Sequence, residues 1–564
     1  MKKILSLILV LTMLFAVMAP TASAADAKVK DVTPIVYIRG NGEELYDENG
    51  KIIPGEIGDL FNKNIVPEEE SVTKEALIES CVNILLPFLA GGLLNDNWDS
   101  YGKAIYEEIS PLFEKTALDG DGNPKYGTSV SPEALAKSEY NAANIDFKAS
   151  GYRIGQYDFC YDWRLSPYDH VDRLHEYILT VMETTGYDQI CIAARCLGGS
   201  LLHAYLDVYG HLGHIKRVFY GEVLANGSAY VSQCFSGKFD FDAKHMQVYL
   251  KFMEENNMVE FTDLVSEIVT RSMDLFVQVG VVDKIFGGID ELYGKLYKAL
   301  IPALLLSTGM ATMPNYWASV YEEDMDDALD LIFGKEGSET REEYAGAIAK
   351  IQRYRENISS DLTGFYDRIS KDYGIDVGVF AKYGYLSMPI IEDYDELSDS
   401  LIGLKDASFG ATCSTVTTTL SDEYIDARVT EDPENAKYIS HDKMVDLSTA
   451  YFLETTWITK NSVHSEARIF DELAVHFLSH KNLTVHNDSR MAQFSMFDAK
   501  RGYKNCFVRP MTEDDCASFE WLGMAEEKPT TETKLAALMR FLTVIFELIT
   551  MLINGTISLS KSVS

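Results

Sequence analysis

The sequence predicts an α/β chain: a mostly parallel sheet flanked by helices and interrupted by a large, mainly helical insertion. First, short apolar runs at 34–38, 187–196 ("YDQICIAARC") and 214–223 ("HIKRVFYGEV") alternate with helical patterns at 168–186 and 198–210. Strand, helix, strand in succession is how a parallel sheet is built, because each parallel pairing needs a crossover. Second, residues 225–375 carry helical patterning with apolar patches such as "ALIPALLLSTGMATM", too long a stretch for a loop. Third, strand patterning returns at "VGVFAKYGYLSMPI" and "TTWITK" (455–460), so the sheet resumes after the insertion.

The chain opens with Lys2 and Lys3, an apolar run from Ile4 to Ala19, and Ala22-Ser23-Ala24. That is the pattern of a secretory signal peptide cut after Ala24, which predicts an exported protein, secreted or in the cell envelope. About 540 residues follow, with 46% hydrophobic and 11% aromatic residues, ample for a sizeable core. Formal net charge is −36. Such a surface repels nucleic acid and anionic lipid at long range, so polyanion-binding classes are disfavoured. The eight cysteines include no CxxC pair and none at zinc-ligand spacing with histidine, which predicts no structural metal. With Cys196 set aside as the candidate nucleophile, Cys506 and Cys516 are the pair that proximity favours for a disulfide. The expected organisation is signal peptide 1–24, first part of the core 25–224, helical cap insertion 225–375, second part of the core 376–525, and a C-terminal amphipathic helix and tail 530–564.

Within the first part, "PIVYIRGNGEELYDENGKII" gives a strand at 34–38, a Gly-Asn-Gly turn and a hairpin at Asn49-Gly50. Residues 72–115 read as helices with an apolar centre, "CVNILLPFLAGGLL". Asp119, Asp121 and Asn123 in "LDGDGNPKYG" suggest a calcium loop. The loop's required glycine and glutamate are replaced by Pro124 and Val130, so the stretch reads as a turn. A strand at 151–160 leads into "YDWRLSP".

Chemistry concentrates at "AARCLGGSL" (193–201). A strand running into a helix through small, any, nucleophile, any, glycine is the pattern of a nucleophile elbow, with Cys196 in the nucleophile slot. The elbow aims its side chain out of the sheet at the next helix's N-terminus, where negative charge is stabilised, so a thiolate suits the slot. Ala194 and Gly198 keep the flanks small. Ser200 falls inside the helix and Cys191 on the strand, both read as packing. Downstream, "HDKMVDLSTAYFLETTWITKNSVHSEARIFDEL" places Asp442 in a polar loop, a strand at 455–460, and then His464 in a loop before a helix. This predicts a Cys196, His464, Asp442 set: base, nucleophile and orienting acid. Asp446 is the alternative acid. His476 and His480 are four apart on a helix, but "HFLSH" lacks the glutamate of a zinc protease helix.

With these blocks in view, the chain resembles the α/β-hydrolase superfamily, close to the lecithin:cholesterol acyltransferase-like group. The resemblance rests on "YDWRLSP", on "CLGGSLLHAYL" in place of the family's S-x-G-G run, and on "YGYLSMP". "HDKMVDLST" resembles the acid loop and "VHSEARI" the histidine loop. It spans most of 33–480. It implies an α/β-hydrolase fold and Cys196, Asp442 and His464 as catalytic residues. The implied oxyanion hole is the backbone N–H of Leu197 and one from the Gly40-Asn41-Gly42 turn, assigned to Asn41. Three positions depart from the pattern: cysteine for serine, Ala194 for the first elbow glycine, and Arg39 before the oxyanion glycine. "CLGGSLL" is also similar to the G-x-C-x-G-G box of polyhydroxyalkanoate synthases, a precedent for a thiol. The resemblance implies acyl chemistry on an ester, with a small-molecule or lipid donor, as hydrolase or acyltransferase and without a cofactor. The alternative is a catalytically silent binding protein on a hydrolase fold. The run "TKLAALMRFLTVIFELITMLING" carries one polar stripe at helical spacing, which predicts docking on the body, pairing with another chain, or contact with a membrane interface.

Overall fold

The structure, a computed structural model, describes residues 32–40, 44–53, 83–84, 86–93, 95–150, 152–239, 289–387, 391–488, 490–497 and 508–515. The expected signal peptide, the Asn41 position, the Cys506–Cys516 pair and the C-terminal helix lie outside the described residues.

Among the described residues, eight strands form one sheet: β1 (Ile35–Ile38), β2 (Tyr157–Phe159), β3 (Ile190–Cys196), β4 (Ile215–Val223), β5 (Asp376–Tyr383), β6 (Thr456–Lys460), β7 (Phe494–Phe497) and β8 (Val508–Pro510). Their spatial order is β8-β7-β6-β5-β4-β3-β1-β2, parallel throughout except for the antiparallel edge pair β7–β8. The chemistry-bearing stretches of the sequence thus leave the sheet at one end, the carboxyl end of neighbouring parallel strands.

Alternation along the strands sends side chains to both faces, and both are buried. Val36, Ile38, Ile192, Ala194 and Val218 join one core with α2 (Val171–Thr185) and α3 (Gly198–Tyr209). Ile35, Tyr37, Cys191, Ala193 and Phe219 join a second core under α6 (Arg468–Leu478), where Phe470 and Phe477 pack on Phe219. A two-sided core explains why the β3 and β4 sequences read as near-continuous apolar runs rather than alternating ones.

The helices between these strands end as their sequences direct. α2 stops at Gly186 in the left-handed region (φ 73°), where glycine carries no Cβ penalty. Helix α1 (Trp98–Phe113) starts at Asn97, whose side chain accepts the Ser100 N–H. Between β4 and β5 the described residues are helices and turns, including α4 (Ile289–Ser307) and α5 (Ala345–Asn357). The Asn49-Gly50 hairpin forms between Leu45–Tyr46 and Ile52–Ile53, with Gly50 at φ 76°. The strand expected at 151–160 is shorter, three residues, because Gly155 turns the chain at φ 86° just before it. The Asp119 carboxylate accepts the N–H groups of Asp121 and Asn123, as a turn residue does.

Candidate active site

Cys196 is the last residue of β3 and sits at φ 53°, a left-handed conformation that an L-residue adopts at a cost. α3 begins two residues later, so the thiol stands at a helix N-terminus. The small residues around it are forced by close backbone approach. A Cβ on Gly198 would lie 2.4 Å from the Ile38 carbonyl oxygen and 2.6 Å from that of Arg39. One on Gly199 would lie 2.6 Å from Val223 Cβ. Ser200 is buried and donates to the Leu197 carbonyl at 2.6 Å, with Asn315 Oδ1 also in reach at 2.5 Å, so it packs the elbow from behind. Cys191 is buried on β3 against Thr33, and burial pushes its thiol up.

Gly40, in the loop after β1, faces the nucleophile. A Cβ there would stand 2.7 Å from Cys196 Cβ, 3.1 Å from its Sγ and 3.3 Å from the Leu197 nitrogen. The space beside the thiol and the first N–H of the helix therefore exists because residue 40 has no side chain. The preceding residue is held on both sides: Tyr161 Oη donates to the Arg39 carbonyl at 2.9 Å, and the Arg39 guanidinium pairs with Asp158 at 2.5 Å.

His464 follows β6 and has Cys196 as one neighbour, the two lining the same cavity. Its other partner corrects the expectation from the sequence. The acid against His464 is Asp399, not Asp442: Nδ1 lies 2.7 Å from Asp399 Oδ2, and the His464 N–H donates to the Asp399 carbonyl at 2.8 Å. Asp399 is buried in the loop after β5, and its Oδ1 accepts the N–H groups of Leu401 and Ile402. Burial opposes ionisation of Asp399, but His464 and those donors outweigh it and hold the carboxyl below its usual range. Burial likewise opposes charging the ring, but Asp399 and Cys196 outweigh it and raise the His464 pKa to about 10.

Asp442 is engaged elsewhere. Oδ2 accepts Tyr383 Oη at 2.8 Å and Lys460 Nζ at 2.7 Å, while Oδ1 accepts Ser440 Oγ at 2.6 Å and the Met444 N–H at 3.2 Å. Four donors, one of them a cation, fill an ionised carboxylate's capacity. Asp446, the alternative acid, binds Tyr424, Arg428 and the Ser448 N–H. Asp399 was missed although "YDELSDSLIG" places it in the loop after β5, between the nucleophile and histidine strands. Chain order alone admits both aspartates, and Asp442 stands in a polar loop just ahead of the strand that leads to His464, in a stretch that also resembles the family's acid loop.

The thiol and ring open on a cavity of about 410 Å³, lined also by Tyr37, Arg39, Gly40, Arg195 and Asp471. Cys196 itself is 7% exposed, so a substrate has to enter this cavity to reach it. His476 binds Asp488 at 3.1 Å and His480 Nδ1–H donates to the His476 carbonyl at 2.7 Å, and neither lines the Cys196 cavity.

No family model matches the chain, and no curated protein matches it. Among solved structures it is similar to the crystal structure of the Tle4–Tli4 complex, at 12% identity over 62% of this chain and 75% of that chain. The TM-score is 0.24, too slight a likeness to bear on fold or function.

Proposed function

We propose that the chain is an acyl-transferring enzyme of the α/β-hydrolase superfamily, close to the lecithin:cholesterol acyltransferase-like group, with a Cys196–His464–Asp399 triad. The observation that carries the reading is the Asp399–His464 contact beside Cys196, with His464 and Cys196 lining one cavity and Cys196 in left-handed geometry at a strand-to-helix turn. The strand order supports it as well: nucleophile, acid and histidine follow β3, β5 and β6, which lie in the one parallel run β6-β5-β4-β3.

In this reading the Cys196 thiolate attacks the carbonyl carbon of an ester, and the carbonyl oxygen takes the negative charge. The Leu197 N–H at the start of α3 lies beside the space where that oxygen would sit, which Gly40 keeps open. Collapse of the tetrahedral intermediate breaks the carbon–oxygen bond, and the His464 imidazolium gives its proton to the leaving alcohol. The acyl group is left as a thioester on Cys196. A water, alcohol or amine then attacks the thioester, His464 takes its proton, and the thiolate leaves. Asp399 holds the ring's tautomer and stabilises the imidazolium throughout. The donor is a small-molecule or lipid ester. The leader pattern at 1–24 supports export in this reading.

The test is intact-protein mass after exposure to a panel of acyl esters. An acyl adduct mapped to Cys196, absent from Cys196→Ala, is the expected result. Ester turnover undiminished in Cys196→Ala would overturn the reading. A chain that forms no adduct and shows no turnover is a binding protein instead.

A further inference from the structure

Three charged side chains stand under the histidine loop, on three successive strands of the sheet. Arg195 on β3 immediately precedes Cys196, Glu222 is near the end of β4, and Lys382 is near the end of β5. Charged residues inside a parallel sheet are costly to desolvate, and Glu222 and Lys382 have fully buried side chains. Their partners account for them. Lys382 Nζ pairs with Glu222 Oε1 at 2.6 Å, and Arg195 Nε donates to Glu222 Oε2 at 2.7 Å. The two cations then reach the same piece of backbone. Lys382 donates to the Val463 carbonyl at 3.1 Å, to the His464 carbonyl at 3.5 Å and to the Glu466 carbonyl, while Arg195 donates to the His464 carbonyl.

Glu222 is delivered to this position by an irregularity in the pairing. Arg195 stands opposite Gly221 and Cys196 opposite Val223, so Glu222 is the extra residue on β4, at φ 43°. A bulge re-aims a side chain at the expense of local strain, and here it does so beside the nucleophile.

We infer that Lys382 is a positioning residue for the Cys196–His464 pair: with Glu222 and Arg195 it locks the histidine loop's carbonyls to the strand that carries the nucleophile. Arg195 is fixed to Cys196 by a single peptide bond, and Glu222 ties Arg195 to Lys382. The distance between thiol and imidazole is thereby set by buried ion pairs before any substrate enters. A ring clamped in this way stays in place beside Cys196, and misplacement by about 1 Å costs on the order of a hundredfold in rate. The cluster keeps one net positive charge beneath the site, and the charge on Arg195 acts on Cys196 directly. The inference rests on the triad reading of the same site.

The experiment follows alkylation of Cys196 by iodoacetamide in the full chain from pH 5 to 9, beside thermal melting. The variants are Lys382→Met and Glu222→Gln. In Lys382→Met, Glu222 keeps Arg195, so no unpaired charge is left and the fold is expected to survive. The expected result is a cooperative melt with alkylation at pH 6 slowed by about tenfold or more, and a pH profile displaced toward that of an ordinary thiol. Glu222→Gln, which weakens both arms, should move the profile the same way. If wild-type Cys196 reacts fast and either folded variant matches its rate and profile, the positioning role is wrong while the triad stands. If neither variant folds, the cluster is structural alone and the inference fails. If wild-type Cys196 reacts no faster than in the denatured chain, the triad reading fails, and this inference with it.

Discussion

His464 and Asp399 meet twice, through Nδ1 and Oδ2 at 2.7 Å and through the His464 N–H and the Asp399 carbonyl at 2.8 Å. The backbone contact fixes where the ring starts and the side-chain contact fixes which way it turns. Two contacts between residues 65 positions apart make the acid and histidine loops one unit.

The first prediction separates the two aspartates. Asp399→Asn should lower the rate of acyl adduct formation at Cys196 by ~10²–10⁴, because the amide cannot hold the imidazolium or its tautomer. Asp442→Asn should leave that rate within a few-fold. It should instead lower folding stability by about 1–3 kcal/mol, because Lys460 is left without its carboxylate. Denaturant midpoints and adduct rates on the same preparations read both. The reverse pattern would return the acid's role to Asp442.

The second prediction concerns pH. The folded His464 pKa, about 10, lies above the unfolded value near 6.5, so folding takes up a proton between them. The stabilisation is fully present below pH 6.5 and is lost as pH rises through 10. The stability gap between wild type and Asp399→Asn should therefore be largest near pH 6 and shrink toward pH 10. A gap that widened over that range would mean the ring is held neutral.

The elbow was legible in the sequence because its grammar is local: strand, small residue, nucleophile and glycine all fall within nine positions. The mostly parallel sheet was legible for the same reason, each βαβ step announcing itself. The acid was not legible. Asp399 and Asp442 both follow β5 and precede His464, and what separates them is that Tyr383, Lys460 and Ser440 fill Asp442's oxygens. That is a tertiary fact. Lys382 was hidden differently: in "VGVFAKYGY" a lysine reads as an exposed strand position, and only the bulge at Glu222 brings it a buried counter-charge.

The third prediction tests the space beside the thiol. Gly40→Ala puts a methyl 3.1 Å from Cys196 Sγ and 3.3 Å from the Leu197 nitrogen, where a developing oxyanion would lie. Adduct formation should fall by ~10²-fold or more, the scale of losing one oxyanion-hole donor. Iodoacetamide carries no acyl oxygen needing that pocket, so alkylation should fall far less. Equal losses by both reagents would indicate that the alanine merely displaces the thiol.

The last prediction lies beside the acid loop, at Asp406. This buried carboxyl accepts Tyr321 Oη at 2.7 Å and lines up with Asp393 and Glu323, whose charges oppose its own. Burial is the larger cause, and together they raise its pKa from 3.8 to about 6. The native state therefore binds a proton that the unfolded chain has released, and stability falls as pH rises from about 4 to about 6. Asp406→Asn keeps an acceptor for Tyr321 and removes the charge. It should be more stable than wild type above pH 6, by on the order of 1–3 kcal/mol, with the difference closing as pH falls through that window. Urea midpoints at pH 7.5, 5 and 4 measure it. An asparagine variant less stable than wild type at pH 7.5 would mean that Asp406 is ionised to advantage, and that the acidic surroundings hold a compensating positive charge.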